Sequence, residues 1–242
     1  MDDLTRAYYA TTARRGHRAS ADHYDTCATG LRRRLRAWLP EDKSTPSIDL
    51  ACGCGELMYL LEREGFVNTC GVDLCAEEVD QAKSFVRGEL VVADVLDFLR
   101  GREDGSAGFI TALNLIEHLK KDAARELLVE ARRVLRPGGT LVAIVPNALS
   151  PFGASTRYWD LTHEIAFTPN NFHQLAALTG FSPRVDFREC GPEPHGLKSS
   201  IRYLLWQALR GAVASWYLIE VASTRGGIYT MDMMVRLHRD GG

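Results

Sequence analysis

The sequence predicts an α/β protein whose mainly parallel sheet is covered by helices on both faces. Short apolar segments alternate with helical ones from residue 47 onward, a glycine-rich turn follows the first apolar segment, and acidic residues follow the next two. Strands that alternate with helices need crossover connections, which give parallel sheets buried on both sides. The 242 residues, 45% of them hydrophobic, suffice for one such doubly wound domain with an appendage.

Seven segments have the length and apolar content of strands, and helical segments lie between most of them. Strands are predicted at residues 47–52, 68–74, 90–93, 109–113, 140–145, 182–188 and 227–238. Helices are predicted at residues 56–64, 76–86, 122–135 and 168–179. Residues 136–139 (RPGG) are typical of a helix stop and end the third helix. Thr168 and Pro169 are typical of an N-cap and a first turn, so they mark the start of the fourth helix.

Two helical segments lie outside this alternation. Residues 1–40 are polar, with Leu31 and Leu35 on one helical face, and prolines end the segment. Residues 196–222 form a helical insertion before the last strand, for which we expect a lid or a dimer helix; a core helix and a membrane-surface helix are alternatives. We therefore divide the chain into an N-terminal helical cap, residues 1–40, and a main domain, residues 41–242.

Composition and charge exclude several classes of protein. The 29 basic and 31 acidic residues give a formal net charge of −2, which disfavours a nucleic-acid-binding protein. No stretch of about 18 apolar residues predicts a spanning helix, and residues 1–4 (MDDL) lack the apolar core of a secretory signal. The six cysteines include no Cys-x-x-Cys pair, so we expect reduced thiols in a cytoplasmic protein rather than disulfides or a zinc site.

The glycine turn and the two acids that follow it have the pattern of a nucleotide-type site. Gly53 and Gly55 let a ligand approach the backbone, and the helix after them offers free N–H groups at its start. Asp73 ends the second strand, where an acid accepts hydrogen bonds from ribose hydroxyls, and Asp94 ends the third strand. A nicotinamide or flavin cofactor is disfavoured, because Met58 stands where the dinucleotide fingerprint needs a small residue.

Five motifs occur in order along the chain: residues 49–55 (DLACGCG), 71–74 (GVDL), 93–95 (ADV), 114–119 (NLIEHL) and 135–139 (LRPGG). Together they resemble the class I S-adenosylmethionine-dependent methyltransferases, which implies a Rossmann-like sheet with its last strand antiparallel and S-adenosylmethionine as cofactor. Ala51 departs from the family pattern, which more often has glycine there, and its methyl group crowds the turn. The resemblance implies a cofactor site formed by Tyr9, Asp49, Ala51, Gly53, Gly55, Asp73, Leu74, Asp94, Val95, Asn114 and Glu117.

Motifs in the second half of the chain resemble a narrower group. Residues 146–147 (PN), 160–163 (DLTH), 167–169 (FTP) and 178–181 (LTGF) look like bacterial methyltransferases of polysaccharide and surface-glycan biosynthesis. This resemblance implies a small-molecule acceptor: a hydroxyl of a saccharide or of another small metabolite. An N-methyltransferase and a cofactor-binding protein without turnover are the alternatives.

Histidines are the candidate catalytic residues. Methyl transfer from a sulfonium is a direct displacement, so an alcohol acceptor gains most from orientation and from a general base, for which histidine is best suited near neutral pH. His163 follows the fifth strand and His118 the fourth, and Asp160 would orient His163 or bind acceptor hydroxyls. A metal held by Asp160, His163 and Glu164 is a weaker alternative, and we expect no metal.

Overall fold

The computed structural model describes residues 3–13 and 20–241. Within them the strands are β1 (Ser47–Leu50), β2 (Thr69–Asp73), β3 (Glu89–Val92), β4 (Ala107–Leu113), β5 (Leu135–Pro146), β6 (Val185–Glu189) and β7 (Asp232–His238). They form one seven-stranded sheet in the order β3-β2-β1-β4-β5-β7-β6. β7 is antiparallel to both of its neighbours, and the other pairs are parallel. The predicted Rossmann-like, mostly parallel sheet with its last strand antiparallel is confirmed.

The helices differ from the predicted ones mainly in the short elements. Those in the described residues are α1 (Asp3–Tyr8), α2 (Ala21–Leu35), α3 (Glu56–Arg63), α4 (Ala76–Ala82), α5 (Val95–Arg100), α6 (Lys121–Val134), α7 (Gly153–Arg157), α8 (Pro169–Thr179) and α9 (Leu197–Val221). A π-helical turn, Tyr9–Ala13, continues α1, and a 3-10 turn, Ile116–His118, follows β4. α5 and α7 are absent from the predicted elements, because so few residues cannot show a helical period. β5 begins at Leu135, so residues 136–139 lie inside an irregular stretch of that strand rather than before it.

Helices cover both faces of the sheet, because consecutive residues of a strand point to opposite sides. In β4, Phe109 packs with α2 and α3, while Ile110 packs with α5 and α6. In β5, Val142 belongs to the first of these clusters and Ala143 to the second. With both faces occupied, the loops at the carboxyl ends of the strands are the accessible place for a site.

The N-terminal segment packs against the main domain. Leu35 is fully buried against α3, on the face that the helical spacing predicts. Tyr24 is also fully buried, and its hydroxyl donates a 2.6 Å hydrogen bond to the carbonyl of Cys54 in the glycine turn. Residues 1–2 and 14–19 of the predicted cap lie outside the described residues, and the division of the chain at residue 40 stays a prediction.

α9 is the predicted helical insertion, and most of its side chains are exposed. Ser199 is the one buried residue of this 25-residue helix, whereas Leu204 and Ile219 are 66% and 87% exposed. The alternative of a core helix is therefore wrong, and the role as a lid or a dimer helix stays a prediction. Across the part of the chain that the structure describes, every helix is too short or too polar to cross a membrane.

Met58 fills the space between α3 and the sheet. Its side chain is fully buried, and a Cβ on Gly71 of β2 would lie 2.3 Å from its sulfur. That Cβ would also lie 2.8 Å from the Sγ of Cys52, one of six free cysteines. The small residue needed for close helix–strand packing is thus on the strand, whereas the dinucleotide fingerprint has it on the helix.

Candidate active site

A cavity of about 790 Å³ lies where β1, β2 and β4 end, beside the reversal of strand order between β1 and β4. Ligands of doubly wound sheets bind at such a reversal, outside the carboxyl ends of the strands. Asp49 and Ala51 line the cavity from the end of β1, Asp73 from the end of β2, and Asn114 from the residue after β4. The other predicted site residues on its wall are Tyr9, Gly53, Leu74, Asp94, Val95 and His118.

Four predicted site residues are not on the cavity wall. Gly55 starts α3 behind the turn, where a Cβ would lie 3.1 Å from a side chain of α4. Glu117, Asp160 and His163 group around His118 instead, and Glu117 is only 1% exposed. The structure therefore brings the predicted cofactor residues together at the cavity, and the predicted catalytic residues together beside it.

The turn between β1 and α3 has a left-handed backbone. Ala51, Gly53 and Gly55 have φ angles of +57°, +53° and +82°. Glycine adopts this region freely, whereas a residue with a Cβ is strained there by about 1–2 kcal/mol. The N–H of Cys52 donates a 3.0 Å hydrogen bond to the carbonyl of Val72, which fixes the turn beside β2. The crowding expected at Ala51 is therefore a backbone strain.

Replacing Ala51 with glycine is expected to raise the free energy of unfolding by about 0.5–1 kcal/mol. The change removes the left-handed strain but gives the unfolded chain more freedom, which offsets roughly 0.5–1 kcal/mol of the gain. Urea denaturation measures the difference. Ala93→Gly is the matched control, because Ala93 does not have a positive φ and glycine there should only destabilise. Equal destabilisation by Ala51→Gly and Ala93→Gly would show that the backbone at Ala51 is not strained.

Asp73 connects three segments of the chain around the cavity. It is 3% exposed, and its Oδ2 accepts a 2.9 Å hydrogen bond from the N–H of Gly53. Its Oδ1 accepts hydrogen bonds from the N–H of Cys75 at 2.8 Å and from the hydroxyl of Tyr9 at 3.0 Å. A carboxylate has about four acceptor positions, so one is left for a ligand hydroxyl while Tyr9 stays in place. A pair of ribose hydroxyls would need the position of Tyr9 as well.

Asp49 is a buried carboxyl group beside the same turn. It is 4% exposed, and the hydroxyl of Thr111 donates a 2.7 Å hydrogen bond to its Oδ1. Burial raises the pKa of Asp49 to about 7, although the hydrogen bond from Thr111 acts in the opposite direction. This carboxyl therefore changes its charge near neutral pH, and a positively charged ligand would favour the ionised form.

Two histidines from distant parts of the chain meet beside the cavity. The ring centroids of His118 and His163 lie 4.7 Å apart, and His118 is on the cavity wall. The two segments are joined because the carbonyl of Glu117 accepts a 2.7 Å hydrogen bond from the N–H of Glu164. Burial lowers the pKa of His118 to about 4, and the charge of His163 adds to this effect. The His118 ring is therefore neutral at pH 7.

Each of these histidines makes one defined hydrogen bond through Nδ1. Nδ1 of His163 lies 3.0 Å from the carbonyl oxygen of Thr156, which only accepts, so this nitrogen carries the proton. Nδ1 of His118 lies 2.7 Å from the hydroxyl oxygen of Thr162, whose own proton goes to Oδ1 of Asp160 at 2.7 Å. Nδ1 of His118 therefore donates as well. Asp160, which we expected to orient His163, acts on His118 through Thr162 instead.

Residues 48–143, which hold the glycine turn, Asp73, Asp94 and His118, match the protein family described as a methyltransferase domain. The chain carries a class I, S-adenosylmethionine-dependent methyltransferase domain. Solved structures share its fold: an S-adenosylmethionine-dependent methyltransferase from Archaeoglobus fulgidus is 17% identical, covers 98% of this chain and 100% of its own, and has a TM-score of 0.66. An S-adenosylmethionine-dependent methyltransferase from Mesorhizobium loti is 16% identical, covers 87% of this chain and 98% of its own, and has a TM-score of 0.57. None of the curated proteins matches the chain.

The cavity of this methyltransferase fits S-adenosylmethionine, which is its cofactor. Asp73 keeps a free acceptor position for a hydroxyl group, and Asp49 is a carboxyl whose charge suits a sulfonium compound. The turn also favours glycine at position 53, since φ is +53° there and a Cβ would lie 3.2 Å from the carboxylate of Glu78, which would have to shift. When bound, this cofactor supplies a methyl group that is already activated by the sulfonium.

The affinity for S-adenosylmethionine is expected to rise roughly 3–10-fold between pH 6 and pH 8. The raised pKa of Asp49, about 7, means that the free protein holds a proton there below neutral pH, and a cationic ligand favours its release. Affinity therefore increases as the pH passes through 7 and levels off above it. Isothermal titration calorimetry at several pH values measures the effect, and Asp49→Asn should remove it. A steep pH dependence that persists in Asp49→Asn would contradict this origin.

Thr162 belongs to the site but is not among the predicted site residues. It lines the cavity and links Asp160 to His118. The Asp-x-Thr spacing is a signal for it, because an aspartate often accepts hydrogen bonds from the backbone and hydroxyl two residues on. Tyr8 also lines the cavity, with its ring 5.4 Å from that of His118, and burial raises the pKa of Tyr8 to about 12.

Proposed function

We propose that this methyltransferase transfers the methyl group of S-adenosylmethionine to a hydroxyl of a saccharide or of another small metabolite. The observation that carries the proposal is His118, neutral at pH 7 on the cavity wall and in ring contact with His163. A hydroxyl must lose its proton as it is methylated, whereas an unprotonated amine can react without a base. An imidazole on the cavity wall with a second imidazole behind it therefore favours a hydroxyl acceptor.

In this proposal the residues of the cavity bind and orient the cofactor and the acceptor, and the histidine pair deprotonates the acceptor. Asp73 would accept a hydrogen bond from a ribose hydroxyl, Asp49 would face the charged methionine end, and Asp94 and Val95 would flank the adenine. Tyr9 would close the ribose side of the cavity. The rate then depends on alignment of the acceptor oxygen with the methyl carbon and on exclusion of water.

Exposed aromatic side chains close to His163 in sequence support an acceptor with a ring. Tyr158 and Trp159 are 77% and 80% exposed and follow α7 directly. Their flat apolar faces with a polar edge suit a saccharide or another ring compound better than a chain-like acceptor. These side chains and the histidine pair together support this class of acceptor.

An acceptor screen tests the proposal. Methyl glycosides, phenols and primary amines are each incubated with the protein and S-adenosylmethionine, and S-adenosylhomocysteine is measured from pH 6 to pH 9. We expect product with hydroxyl acceptors over the whole range, because the His118 ring is already neutral at pH 6. Product with amines alone would identify an N-methyltransferase. Cofactor binding without any product, even with cell extract, would identify a binding protein.

A homodimer, a cytoplasmic location and the absence of nucleic-acid partners stay predictions. The homodimer depends on the apolar side chains exposed along α9, which include Leu205, Leu209 and Ile219. Analytical ultracentrifugation at micromolar concentration tests it, and a monomer at every concentration would exclude it.

A further inference from the structure

Side chains of three residues converge behind the wall of the cavity. Glu117, His118 and His163 each offer one ligand atom, a carboxylate oxygen or an imidazole nitrogen, and these atoms all lie within 4.8 Å of one another. Ligands of one metal ion at bond lengths of about 2.0–2.2 Å are roughly 3–3.5 Å apart, so small side-chain movements would complete a site. We infer that Glu117, His118 and His163 bind a divalent transition-metal cation next to the acceptor end of the cavity.

The hydrogen bonds of both histidines leave the same atom free for a metal. Nδ1 of His163 donates to the carbonyl of Thr156, and Nδ1 of His118 donates to Thr162. In each neutral ring the lone pair is then on Nε2, which is the form that ligates a cation. Metal-bound histidines usually donate their other nitrogen to an oxygen in this way, and the Thr162–Asp160 link behind His118 is such an outer contact.

Glu117 supplies the negative charge. The side chain is 1% exposed, and its Oε2 has no hydrogen-bond partner within the described residues. A buried carboxylate without a partner is unfavourable unless a proton or a cation compensates it. A cation would satisfy the carboxylate and both imidazoles at the same time.

The ligand set selects the class of cation. Two imidazoles and one carboxylate suit ions such as Zn²⁺, Mn²⁺ or Fe²⁺, whereas Mg²⁺ and Ca²⁺ prefer oxygen ligands. Two histidines and one carboxylate also leave coordination positions open. His118 lies on the cavity wall, so a ligand in the cavity can approach the ion from that side. The cluster differs from the weaker alternative in the sequence, because it contains Glu117 and His118 in place of Asp160 and Glu164.

With the lone pairs of both imidazoles bound to it, such an ion would activate the acceptor hydroxyl in place of the histidine pair, and in this respect the inference rests on the proposed function. An acceptor hydroxyl bound to a dication has a lowered pKa and loses its proton to solvent. The oxygen then forms its bond to the methyl carbon while the carbon–sulfur bond breaks, and the electron pair of that bond leaves with the sulfur. The sulfonium becomes a neutral thioether, so charge and atoms balance.

Metal binding can be measured without cofactor or acceptor. The full chain is treated with a chelator and titrated in separate calorimetric experiments with Zn²⁺, Mn²⁺ and Mg²⁺. We expect one Zn²⁺ or Mn²⁺ per chain and much weaker binding of Mg²⁺. Glu117→Gln and His163→Ala should each weaken binding at least ~10-fold, and Thr162→Val should weaken it roughly 10–100-fold through the outer contact of His118.

His173→Ala is the matched control, because His173 is an exposed histidine whose ring contacts Phe187, away from the cluster. It should bind the metal like the wild type. Failure of all three ions to bind, or equal binding by the Glu117, His163 and His173 variants, would overturn the site. Circular dichroism checks folding, and Glu117→Gln keeps the side-chain shape if His163→Ala does not fold.

The results separate the two proposals. Metal binding with product from amines alone would keep the site and reject the hydroxyl acceptor. Methylation of hydroxyls by chelator-treated protein that binds no metal would keep the proposed function and reject the site.

Discussion

Replacing His163 with alanine is expected to lower single-turnover methyl transfer at least ~100-fold, while the affinity for S-adenosylmethionine stays near that of the wild type. A general base contributes typically 10²–10⁴-fold, and loss of a metal ligand would remove the same deprotonation. His163 is in ring contact with His118 but is not part of the cavity wall, so the cofactor residues keep their positions. Rapid-quench measurements from pH 6 to pH 9 give the rate, and calorimetry gives the affinity.

Two further variants make this result specific. Asp160→Asn should have a smaller effect than His163→Ala, because asparagine keeps a hydrogen-bond acceptor for Thr162 and loses only the charge. His173→Ala should have no effect on turnover. If His163→Ala keeps more than about half of the wild-type rate, the deprotonating group is elsewhere, and His118 is the next candidate.

Asp73→Ala is expected to weaken binding of S-adenosylmethionine by roughly 10–150-fold. Loss of charge-assisted hydrogen bonds to the ribose costs about 1.5–3 kcal/mol, which corresponds to that change in the dissociation constant. The carboxylate also orders the turn, since it accepts hydrogen bonds from the N–H groups of Gly53 and Cys75. Calorimetric titration of the folded variant measures the loss, and an unchanged affinity would refute the assignment of Asp73 to the ribose.

A carboxylate at the rim of the same cavity is the matched control for Asp73. Asp97 lines the cavity but is 73% exposed and pairs with Arg100 at 2.9 Å. Its replacement by alanine should change the affinity less than threefold, because an exposed ion pair contributes little. Asp73→Asn keeps the shape of the side chain, so it separates loss of charge from disruption of the turn.

The parts of the site that depend on local sequence are predictable from it. The glycine turn, Asp73 and Asp94 follow consecutive strands, and the carboxyl ends of parallel strands always meet at one edge of the sheet. Asp94 is also the N-cap of α5, because its carboxylate accepts a 2.8 Å hydrogen bond from the N–H of Leu96. The sequence does not indicate this role, because a helix as short as α5 has too few residues to show a helical period.

Contacts between distant segments of the chain are not predictable from the local sequence. The motif containing Glu117 and His118 suggests a single cofactor-facing group, yet its two side chains diverge: His118 reaches the cavity, and Glu117 turns into the interior beside His163. The 3-10 turn Ile116–His118 sets this divergence, because neighbouring residues of such a turn point in different directions. The order of residues along the chain does not contain this information.

From the sequence alone follow the fold class and the residues at the strand ends, because strand–helix alternation and glycine turns are local properties that admit few topologies. The cofactor follows from the resemblance of the five motifs to class I methyltransferases. The tertiary structure decided which side chains share one environment. Hydrogen bonds between the segments after β4 and after α7 bring His118 to Thr162 and His163. The same packing buries Glu117, whose Oε2 has no hydrogen-bond partner within the described residues. Such proximity arises from long-range packing, in which residues far apart along the chain become neighbours.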